Sequence, residues 1–329
     1  MKRGAAVRPV RVGVVGAGAL GFHHIRLLKK IAGAELVGFY DHNPTRAPYV
    51  AQELETTAFP SLEALLDRVE AITVVVPTPA HVEVALPVLE RGLHALVEKP
   101  LADTLPGAEQ LVQTARERGL FLQVGHVERF NRAVRAAAPY LEEPRFLQTE
   151  RLAPFQSRGT DVAVILDLMI HDLDLVLELV RSEVGEVRAT GVPILTTHVD
   201  IANARVEFVN GAVAIITASR VSRERTRKLR IFQPTGYFSL DLAQGNGHFY
   251  RLKSGWQGFG ATRIEEIVEH VKLDAPEAEP LQLELESFLR AVRGDGDVVV
   301  TGAAGLQALT LAYRVADAIS ASPLAAARP

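Results

Sequence analysis

The sequence predicts an α/β protein of two domains, in which a doubly wound parallel sheet is followed by an α+β domain with a large, mainly antiparallel open sheet. Strand-like and helix-like segments alternate up to Gly125, which is typical of parallel strands joined by right-handed crossovers. Between Val184 and Leu252, strand-like segments follow one another with little helix, and this favours antiparallel pairing. The 329 residues are enough for two such domains.

The composition is that of a folded chain without cysteine. Hydrophobic residues make up 48% and charged residues 23%, close to globular averages. The net charge of −3 argues against nucleic-acid binding, and no apolar run approaches the ~20 residues of a membrane helix. The absence of cysteine excludes disulfides and thiol nucleophiles and suits a reducing cytosol, so we expect a cytoplasmic protein. The start of the chain has the outline of a signal peptide, but a strand, turn and helix explain it better.

The first strand runs into a glycine-rich turn and a helix. Val10–Val15 is a β-branched run, and the GAGALG that follows places Gly16, Gly18 and Gly21 in the spacing G-x-G-x-x-G. Gly16 permits the tight turn, Gly18 lets the backbone approach a pyrophosphate, and Gly21 lets the helix pack closely on the strand. The pyrophosphate then meets N–H groups at the helix start. The pattern predicts a dinucleotide-binding site.

The second strand, ELVGFYD, ends in an acid that is expected to distinguish NAD from NADP. Asp41 follows Gly21 by twenty positions, where a carboxylate accepts hydrogen bonds from a ribose diol and repels a 2′-phosphate. NAD is therefore favoured over NADP. The neighbouring His42 and Arg46 leave NADP open as the alternative, because either side chain is able to accommodate a phosphate.

Three further strands of the first half end in polar or proline-rich turns. These turns are Pro77-Thr78-Pro79, Glu98-Lys99-Pro100 and Gly125-His126. Ligands of open α/β sheets bind beyond the carboxyl ends of the strands, so all three turns are expected at the ligand. His23 and His24, on the first helix, are expected to be packing or surface residues.

The second half contains one hairpin signal and one basic cluster. Asn210-Gly211 between two strand-like segments predicts a type I′ hairpin turn. The segment Ser219–Arg230, SRVSRERTRKLR, is rich in arginine. No aromatic residues interleave with it, which disfavours a nucleic-acid surface. A solvated strand face or a subunit contact is the favoured interpretation, and binding of an anionic substrate by one or two of the arginines is the alternative.

The apolar stretch VILDLMIHDLDLVLEL contains several regularly spaced ionisable residues. On a regular helix Asp167, His171, Asp174 and Glu178 lie on one narrow stripe, while apolar residues cover most of the remaining surface. This edge faces either bulk solvent or a reaction site. A metal site on the stripe is disfavoured because the helix surface alone supplies too few ligands. Asp172 lies in the apolar arc and is expected to pair with an arginine.

Several motifs together resemble those of a known family, the glucose–fructose oxidoreductase, inositol dehydrogenase and MocA-type dehydrogenases. The resemblance covers nearly the whole chain. It depends on GAGALG, on PTPAH and EKPL, and on D-x-x-x-H-x-x-D in the helix just described. It implies a Rossmann domain at residues 1–124, which a C-terminal helix at 303–321 rejoins, and a substrate-binding and oligomerisation domain at 125–302. Met169 stands where the family often has glycine, which puts the substrate in doubt more than the chemistry.

The resemblance also implies catalytic roles. Lys99 points into the cleft between the domains and contacts the reacting hydroxyl, and the Lys99–Pro100 peptide bond is commonly cis. His171, with Asp167 one turn earlier, faces the nicotinamide and the substrate. Histidine titrates near neutrality and a partly buried lysine has a lowered pKa, so either His171 or Lys99 is suited to accept the proton. The sequence leaves this choice open.

A closer similarity narrows the substrate. GHVERFN, ERLAPFQSRGTDVAVILDLMIHD and DIANARVEFVNG look like the branch that oxidises the 3-hydroxyl of UDP-N-acetylglucosamine, whose 3-keto product is aminated for diamino-sugar lipid A. A nucleotide-sugar diphosphate needs cations, and planar guanidinium groups suit it. The candidates are Arg129, Arg151, Arg158 and Arg220.

The predicted site is summarised by role. The catalytic residues are Lys99, His171 and Asp167, which also contact the substrate. The cofactor-binding residues are Gly16, Gly18, Ala19, Leu20, Gly21, Asp41, His42, Arg46, Pro77, Thr78, His81, Glu98 and Lys99. No metal, nucleic-acid partner or membrane insertion is expected, and the open sheet favours a homodimer or homotetramer. The alternatives are a dehydrogenase of a free sugar or polyol such as inositol, and a non-catalytic NAD-binding sensor.

Overall fold

The computed structural model describes residues 8–156, 162–256, 258 and 263–321. The chain divides into two compact units, one made of residues up to Val127 with Ala278–Leu306, the other of Glu128–Glu277 with residues from Gln307 onward. The domain bounds expected from the sequence, 1–124 with 303–321 and 125–302, differ from these units in the assignment of the late helices. Those bounds stay a prediction.

The first unit is built on a five-stranded parallel sheet in the order β2-β1-β3-β4-β5. From β1 the chain first adds β2 on one side and then crosses to β3 on the other, so a topological switch point lies between β1 and β3. Ligands of open α/β sheets bind at such a point. The predicted doubly wound Rossmann sheet is confirmed. Its strands are β1 (Val10–Val15), β2 (Ala34–Tyr40), β3 (Ala71–Val74), β4 (His94–Glu98) and β5 (Leu122–Gly125).

Helices cover this sheet, and one of them comes from late in the chain. Val12 and Val14 of β1 are fully buried and share a core cluster with Ile25. The same cluster contains Leu285 and Phe288, so a helix far along the sequence completes the packing of the first strand. The helices of this unit are α1 (Ala19–Leu28), α2 (Arg46–Glu53), α3 (Leu62–Leu66), α4 (His81–Glu90), α5 (Leu105–Glu117) and, late in the chain, α9 (Pro280–Arg293).

The second unit contains an eight-stranded sheet in the order β13-β12-β11-β10-β6-β9-β8-β7. Of its seven strand pairs, β6–β9 is parallel and the other six are antiparallel. The predicted mainly antiparallel sheet is confirmed. Its strands are β6 (Phe146–Leu152), β7 (Val184–Val192), β8 (Ile201–Phe208), β9 (Val213–Ser219), β10 (Thr226–Gln233), β11 (Gly236–Asp241), β12 (Asn246–Leu252) and β13 (Val268–Leu273).

Three helices and a π turn accompany this sheet. They are α6 (Arg132–Ala137), the π turn Ile165–Met169 with α7 (Ile170–Val180), and the single turn α8 (Ile264–Ile267). The last helix, α10 (Gly302–Ser320), begins in the first unit and continues in the second. Among the described residues, no helix is long and apolar enough to cross a membrane.

The hairpin between β8 and β9 differs from its predicted turn type. A type I′ turn needs positive φ at both central residues, but in the turn only Gly211 has it, at +83°. Phe208 N donates to Ala212 O at 2.8 Å, which closes a loop of three residues. The Asn210 side chain accepts a hydrogen bond from Ala212 N at 3.0 Å and fixes this longer loop. The hairpin was predicted correctly, and its type I′ turn was wrong.

The helix that carries the ionisable stripe is not regular. Its first turn, Ile165–Met169, is π-helical, and α-helical geometry begins at Ile170. Hydrogen bonds from i to i+5 widen the helix and change the rotation per residue. The regular-helix geometry that placed Asp167 on one stripe with His171, Asp174 and Glu178 therefore does not apply to Asp167. Such turns occur frequently at functional sites. Hydrophobic periodicity does not distinguish a π turn from an α turn, so the sequence did not predict the π turn.

Candidate active site

The turn between β1 and α1 has the geometry that a bound pyrophosphate needs. Gly16 has φ +93°, and a Cβ there would lie 2.4 Å from Val75 O. A Cβ on Gly21 would lie 1.9 Å from Gly16 O, so helix and strand approach too closely for a side chain. A Cβ on Gly18 would meet no atom within 4 Å, which leaves open space at the turn. The turn therefore fits a dinucleotide.

The start of α1 provides the matching polar groups. Ala19 is its first residue, and the preceding Gly18 makes no side-chain cap. Ala19 is exposed and Leu20 is half-buried. The first backbone N–H groups of a helix lack partners within the helix, and the helix dipole favours an anion there. Backbone atoms alone thus form the part of the site that suits a pyrophosphate.

Asp41 lies directly after β2 and is tied to the glycine turn. Its Oδ2 accepts a hydrogen bond from Ala17 N at 2.6 Å, and its Oδ1 accepts one from Asn43 N at 2.8 Å. Each carboxylate oxygen has capacity for a second donor, such as a ribose hydroxyl. Arg46 Nε donates to Ala17 O at 2.7 Å, whereas the His42 side chain is 85% exposed. An acceptor and a cation therefore lie beside the same turn.

His81 joins the loops that follow β3 and β4. The residue is buried, its Nδ1 lies 2.8 Å from Pro100 O, and its Nε2 lies 3.0 Å from Val76 O. Burial lowers the pKa of His81 and outweighs the carbonyl contacts that favour a charged ring. A neutral ring donates through one nitrogen only. The ring therefore fastens the loop that carries Lys99, and its contact with a cofactor stays a prediction, as do those of Pro77 and Thr78.

The loop after β4 carries the candidate lysine and a buried acid. Lys99 is half-buried, and the Lys99–Pro100 peptide bond is cis, as the resemblance implied. Glu98 Oε2 accepts a hydrogen bond from Lys99 N at 3.2 Å, and Glu98 Oε1 accepts one from His24 Nε2 at 3.2 Å. Burial alone would raise the pKa of Glu98, but His24 and the charge of Lys99 hold it below its ordinary value. The buried carboxylate of Glu98 is therefore an anion directly adjacent to Lys99.

His24 contacts the buried acid beside Lys99, a contact that the sequence reasoning did not predict. It is fully buried, as a packing residue is expected to be, but its contact with the carboxylate of Glu98 was not predicted. The two residues are 74 positions apart. No local pattern connects them, so the only available signal was a histidine on the buried face of a helix that begins at a glycine turn.

In the second unit, the stripe separates into two parts. Asp167 lies in the π turn and His171 in the first turn of α7, and both are half-buried. Farther along, Asp174 accepts hydrogen bonds from Arg129 Nε at 2.8 Å and from Nη2 at 2.7 Å, and Arg129 also binds Glu178. The Arg129 side chain is only 6% exposed. The far end of the stripe is thus an ion-pair cluster, whereas the near end holds the candidate acid–base residues.

The expectation that Asp172 pairs with an arginine is confirmed. Arg151 donates from Nε and Nη2 to its two carboxylate oxygens at 2.8 and 2.9 Å, and from Nη1 to Glu128 Oε1 at 2.8 Å. All three side chains are at most 6% exposed. Burial alone would lower the pKa of Arg151, but the two carboxylates raise it and keep the guanidinium charged.

Arg220 belongs to a second buried ion pair. Its Nε donates to Asp200 Oδ1 at 2.9 Å, and its Nη2 donates to Val199 O at 3.1 Å. Backbone N–H groups of Ile194 and Thr196 donate to Asp200 Oδ2. Burial would raise the pKa of Asp200, but these donors lower it well below its ordinary value.

The candidate arginines for a diphosphate thus have buried partners. Arg129, Arg151 and Arg220 are each held by a carboxylate, and their contact with an anionic substrate stays a prediction. Arg158 lies outside the described residues. In the ranges that the structure describes, no group of three or more His, Asp or Glu side chains is arranged to hold a metal ion.

The two folds and the glycine turn define the class of this protein. A sequence model of an oxidoreductase family with an NAD-binding Rossmann fold, GFO/IDH/MocA, matches residues 10–126. The model of the GFO/IDH/MocA C-terminal domain matches residues 132–239. The chain belongs to this family, and it is an NAD(P)-dependent oxidoreductase of the kind that acts on CH–OH groups.

Proteins with known activities are similar to this chain in sequence or in fold. The UDP-N-acetylglucosamine 3-dehydrogenase of Acidithiobacillus ferrooxidans is 41% identical over 318 residues, which are 95% of this chain and 98% of that one. Its solved structure matches with a TM-score of 0.87 over the same shares of both chains. The scyllo-inositol 2-dehydrogenase (NAD(+)) of Bacillus subtilis is 29% identical over 65% of this chain and 68% of that one. Levoglucosan dehydrogenase in complex with NADH and levoglucosan, 17% identical with a TM-score of 0.83, shares the fold.

Proposed function

We propose that this protein oxidises the 3-hydroxyl of UDP-N-acetylglucosamine to a ketone by hydride transfer to NAD. The observation that carries the proposal is the 41% identity to a UDP-N-acetylglucosamine 3-dehydrogenase over 95% of the chain, both domains included. The open glycine turn supports it, because the backbone there fits a dinucleotide.

The chain supplies the proton acceptor and the charge that oxidation requires. Bound nicotinamide provides the hydride acceptor. His171 accepts the hydroxyl proton at a small cost, because imidazole titrates near neutrality. Asp167 orients the ring and stabilises the imidazolium. Lys99 donates to the same oxygen and stabilises the developing alkoxide. Lys99 and His171 therefore act together in this arrangement, and the alternative is that a neutral Lys99 accepts the proton in place of His171.

NAD is the proposed cofactor, in preference to NADP. The carboxylate of Asp41 lies beside the glycine turn and keeps capacity for the donors of a ribose diol. A 2′-phosphate at that place would meet this negative charge. Arg46, which lies next to the same turn, supports NADP as the alternative.

The open face of the large sheet supports a homo-oligomer. A row of rings crosses four strands on this face: Phe232 stacks on Tyr237, Tyr237 on Tyr250 and Tyr250 on His270, with centroids 5.4, 4.7 and 5.0 Å apart. Phe232 is 37% exposed. We propose a homodimer or homotetramer that covers this row with a second copy. We also propose a cytoplasmic enzyme whose 3-keto product passes to an amination step toward lipid A.

Two alternatives predict different substrates. Relatives that are inositol dehydrogenases favour oxidation of a free polyol, and a non-catalytic NAD-binding sensor requires no substrate at all. The test is incubation with NAD and a panel of UDP-sugars and polyols, followed by NADH absorbance. The proposal predicts NADH with UDP-N-acetylglucosamine. Turnover of inositol but of no UDP-sugar would support the polyol dehydrogenase, and bound NAD without any turnover would support the sensor.

A further inference from the structure

A small cavity in the second unit is lined by four arginines. Its volume is about 130 Å³, which leaves room for several waters or for a small anionic group such as a phosphate. We call it the arginine cavity, and its polar lining consists of Arg151, Gln156, Asp167, Arg220, Arg225 and Arg227.

Two of these arginines already have strong internal partners. The guanidinium of Arg151 makes three hydrogen bonds to the buried carboxylates of Asp172 and Glu128. Arg220 is held by Asp200. These groups line the cavity, but their charges are largely balanced inside the fold. Arg151 and Arg220 therefore contribute to the shape and rigidity of the cavity more than to its net positive charge.

The other two arginines are held far less tightly. Arg227 reaches Glu128 Oε1 at 3.5 Å, an oxygen that Arg151 already occupies at 2.8 Å. Arg225 is exposed, and within the described ranges no hydrogen bond or ion pair engages its side chain. An anion in the cavity would therefore find guanidinium donors that no strong internal ion pair consumes.

The sheet forces like charges together at this place. Arg227 on β10 is the cross-strand neighbour of Arg151 on β6, and like charges directly opposite each other destabilise a sheet. Burial lowers the pKa of Arg227, and the nearby charges of Arg151 and Arg225 lower it further. A bound anion would relieve both the desolvation and the repulsion. Glu128 and Asp172 offset part of this cost, and local costs that a fold retains are typical of functional sites.

The cavity also adjoins the candidate catalytic helix. Asp167, in the π turn before His171, lies in its wall. Asp167 is also the residue proposed to orient His171, so the cavity wall and the proposed acid–base pair share one side chain.

We propose that Arg225 and Arg227 bind the diphosphate of the nucleotide-sugar substrate in the arginine cavity. This inference rests on the proposed function, because it assumes a diphosphate-bearing substrate. It assigns the subsite to two arginines of the basic segment Ser219–Arg230, for which a solvated strand face or a subunit contact was the favoured interpretation.

The test separates phosphate recognition from catalysis. The variants are Arg225→Gln, Arg227→Gln and the double variant, and the matched control is Arg223→Gln, an exposed arginine of the same segment that does not line the cavity. Binding of UDP and of uridine is measured by calorimetry with NAD present, together with KM and kcat for UDP-N-acetylglucosamine. Thermal unfolding checks the fold, and Arg225→Gln keeps the test valid because this side chain is exposed.

We expect the double variant to raise the Kd of UDP and the KM of the UDP-sugar by at least about tenfold, because charge-assisted hydrogen bonds are strong. Uridine binding and NAD binding should change by less than about threefold, and Arg223→Gln should resemble the wild type. If the wild type oxidises the UDP-sugar but the double variant keeps the same KM and UDP affinity, the inference is overturned and the proposed function stands. If the wild type neither binds UDP nor oxidises any UDP-sugar, both are overturned.

Discussion

The glycine turn of the first unit and the arginine cavity of the second recognise anions in opposite ways. At the glycine turn the groups are backbone N–H donors, and Gly18 adds nothing but open space. At the arginine cavity the proposed groups are the side chains of Arg225 and Arg227, and the wall around them is held by the buried ion pairs of Asp172 and Asp200. A backbone site tolerates changes elsewhere, whereas a cavity whose wall consists of buried ion pairs loses its shape when one partner is removed. The two regions should therefore respond differently to substitution.

The largest effect is expected from the catalytic residue proposed in each unit. Lys99→Ala and His171→Ala should each lower turnover by roughly 10²–10⁴-fold, the usual loss for a general acid–base group. NAD affinity should change far less than turnover, because neither substitution alters the glycine turn. Steady-state kinetics and NAD titration measure both quantities. The exposed Lys30→Ala and His198→Ala serve as controls, and unchanged turnover in both catalytic variants would remove the mechanism.

The next effect separates stability from binding. Arg151→Ala leaves Asp172 and Glu128 buried without their cation and should lower the free energy of unfolding by about 3–5 kcal/mol. Gly18→Ala should change the free energy of unfolding by less than ~0.5 kcal/mol, because the added Cβ stands in open space. The same Cβ should weaken NAD binding. Denaturant titration measures the free energy of unfolding, and NAD titration measures the affinity. The exposed ion pair of Arg188 with Glu186 provides the comparison, and Arg188→Ala should leave stability nearly unchanged. Equal destabilisation by Arg151→Ala and Arg188→Ala would contradict the expected difference between the buried and the exposed ion pair.

A smaller effect is expected at the edge of the glycine turn. Asp41→Ala removes the acceptor for the ribose diol and the charge that repels a 2′-phosphate. The ratio of NADP to NAD affinity should rise by about tenfold, the size of one charge-assisted hydrogen bond. Fluorescence titration with NADH and NADPH measures the ratio, and Asp67→Ala provides an exposed control. A ratio that does not move would refute the ribose role of Asp41.

The smallest effect concerns pH. Burial lowers the pKa of His81 in the fold, so below pH 6.5 the unfolded chain takes up a proton that the folded chain refuses. Stability from this group is therefore lost as pH falls from about 6.5 toward the lowered pKa. Glu98 and Asp200 have pKa values below their ordinary range, so they act at more acidic pH.

Denaturant titrations between pH 7 and 5.5 test this window. The wild type should become less stable with acid, and His81→Gln should show a shallower dependence because its amide does not titrate. An equal slope in both proteins would show that His81 is not the group responsible.

Features that depend on neighbouring residues were predicted from the sequence. The glycine turn, the strand that ends at Asp41 and both sheets follow from glycine spacing and from hydrophobic periodicity, which are local. The hairpin at Asn210 was located, but its turn type depended on one backbone angle that the residue pair does not determine. Likewise, a π turn and an α turn share the same apolar pattern, so the irregular start of the helix before His171 was not predicted.

Long-range pairs were outside the reach of sequence reasoning. Glu98 and His24 are 74 positions apart, and Arg129 and Asp174 are 45 apart. Asp172 was correctly expected to need an arginine, because a buried charge requires a partner. Nothing in the sequence, however, indicated Arg151 rather than another arginine. For the same reason, the arginines with buried partners were not distinguished from Arg225 and Arg227.

The most direct test of the central claim is to follow the hydrogen that leaves the sugar. UDP-N-acetylglucosamine with deuterium at C3 is incubated with the enzyme and NAD, and the reduced cofactor is examined by mass spectrometry. The account predicts one deuterium in the reduced cofactor from the C3-labelled sugar and none from the same sugar labelled at C4. Reduced cofactor without deuterium from the C3-labelled sugar, or with deuterium from C4, would contradict it.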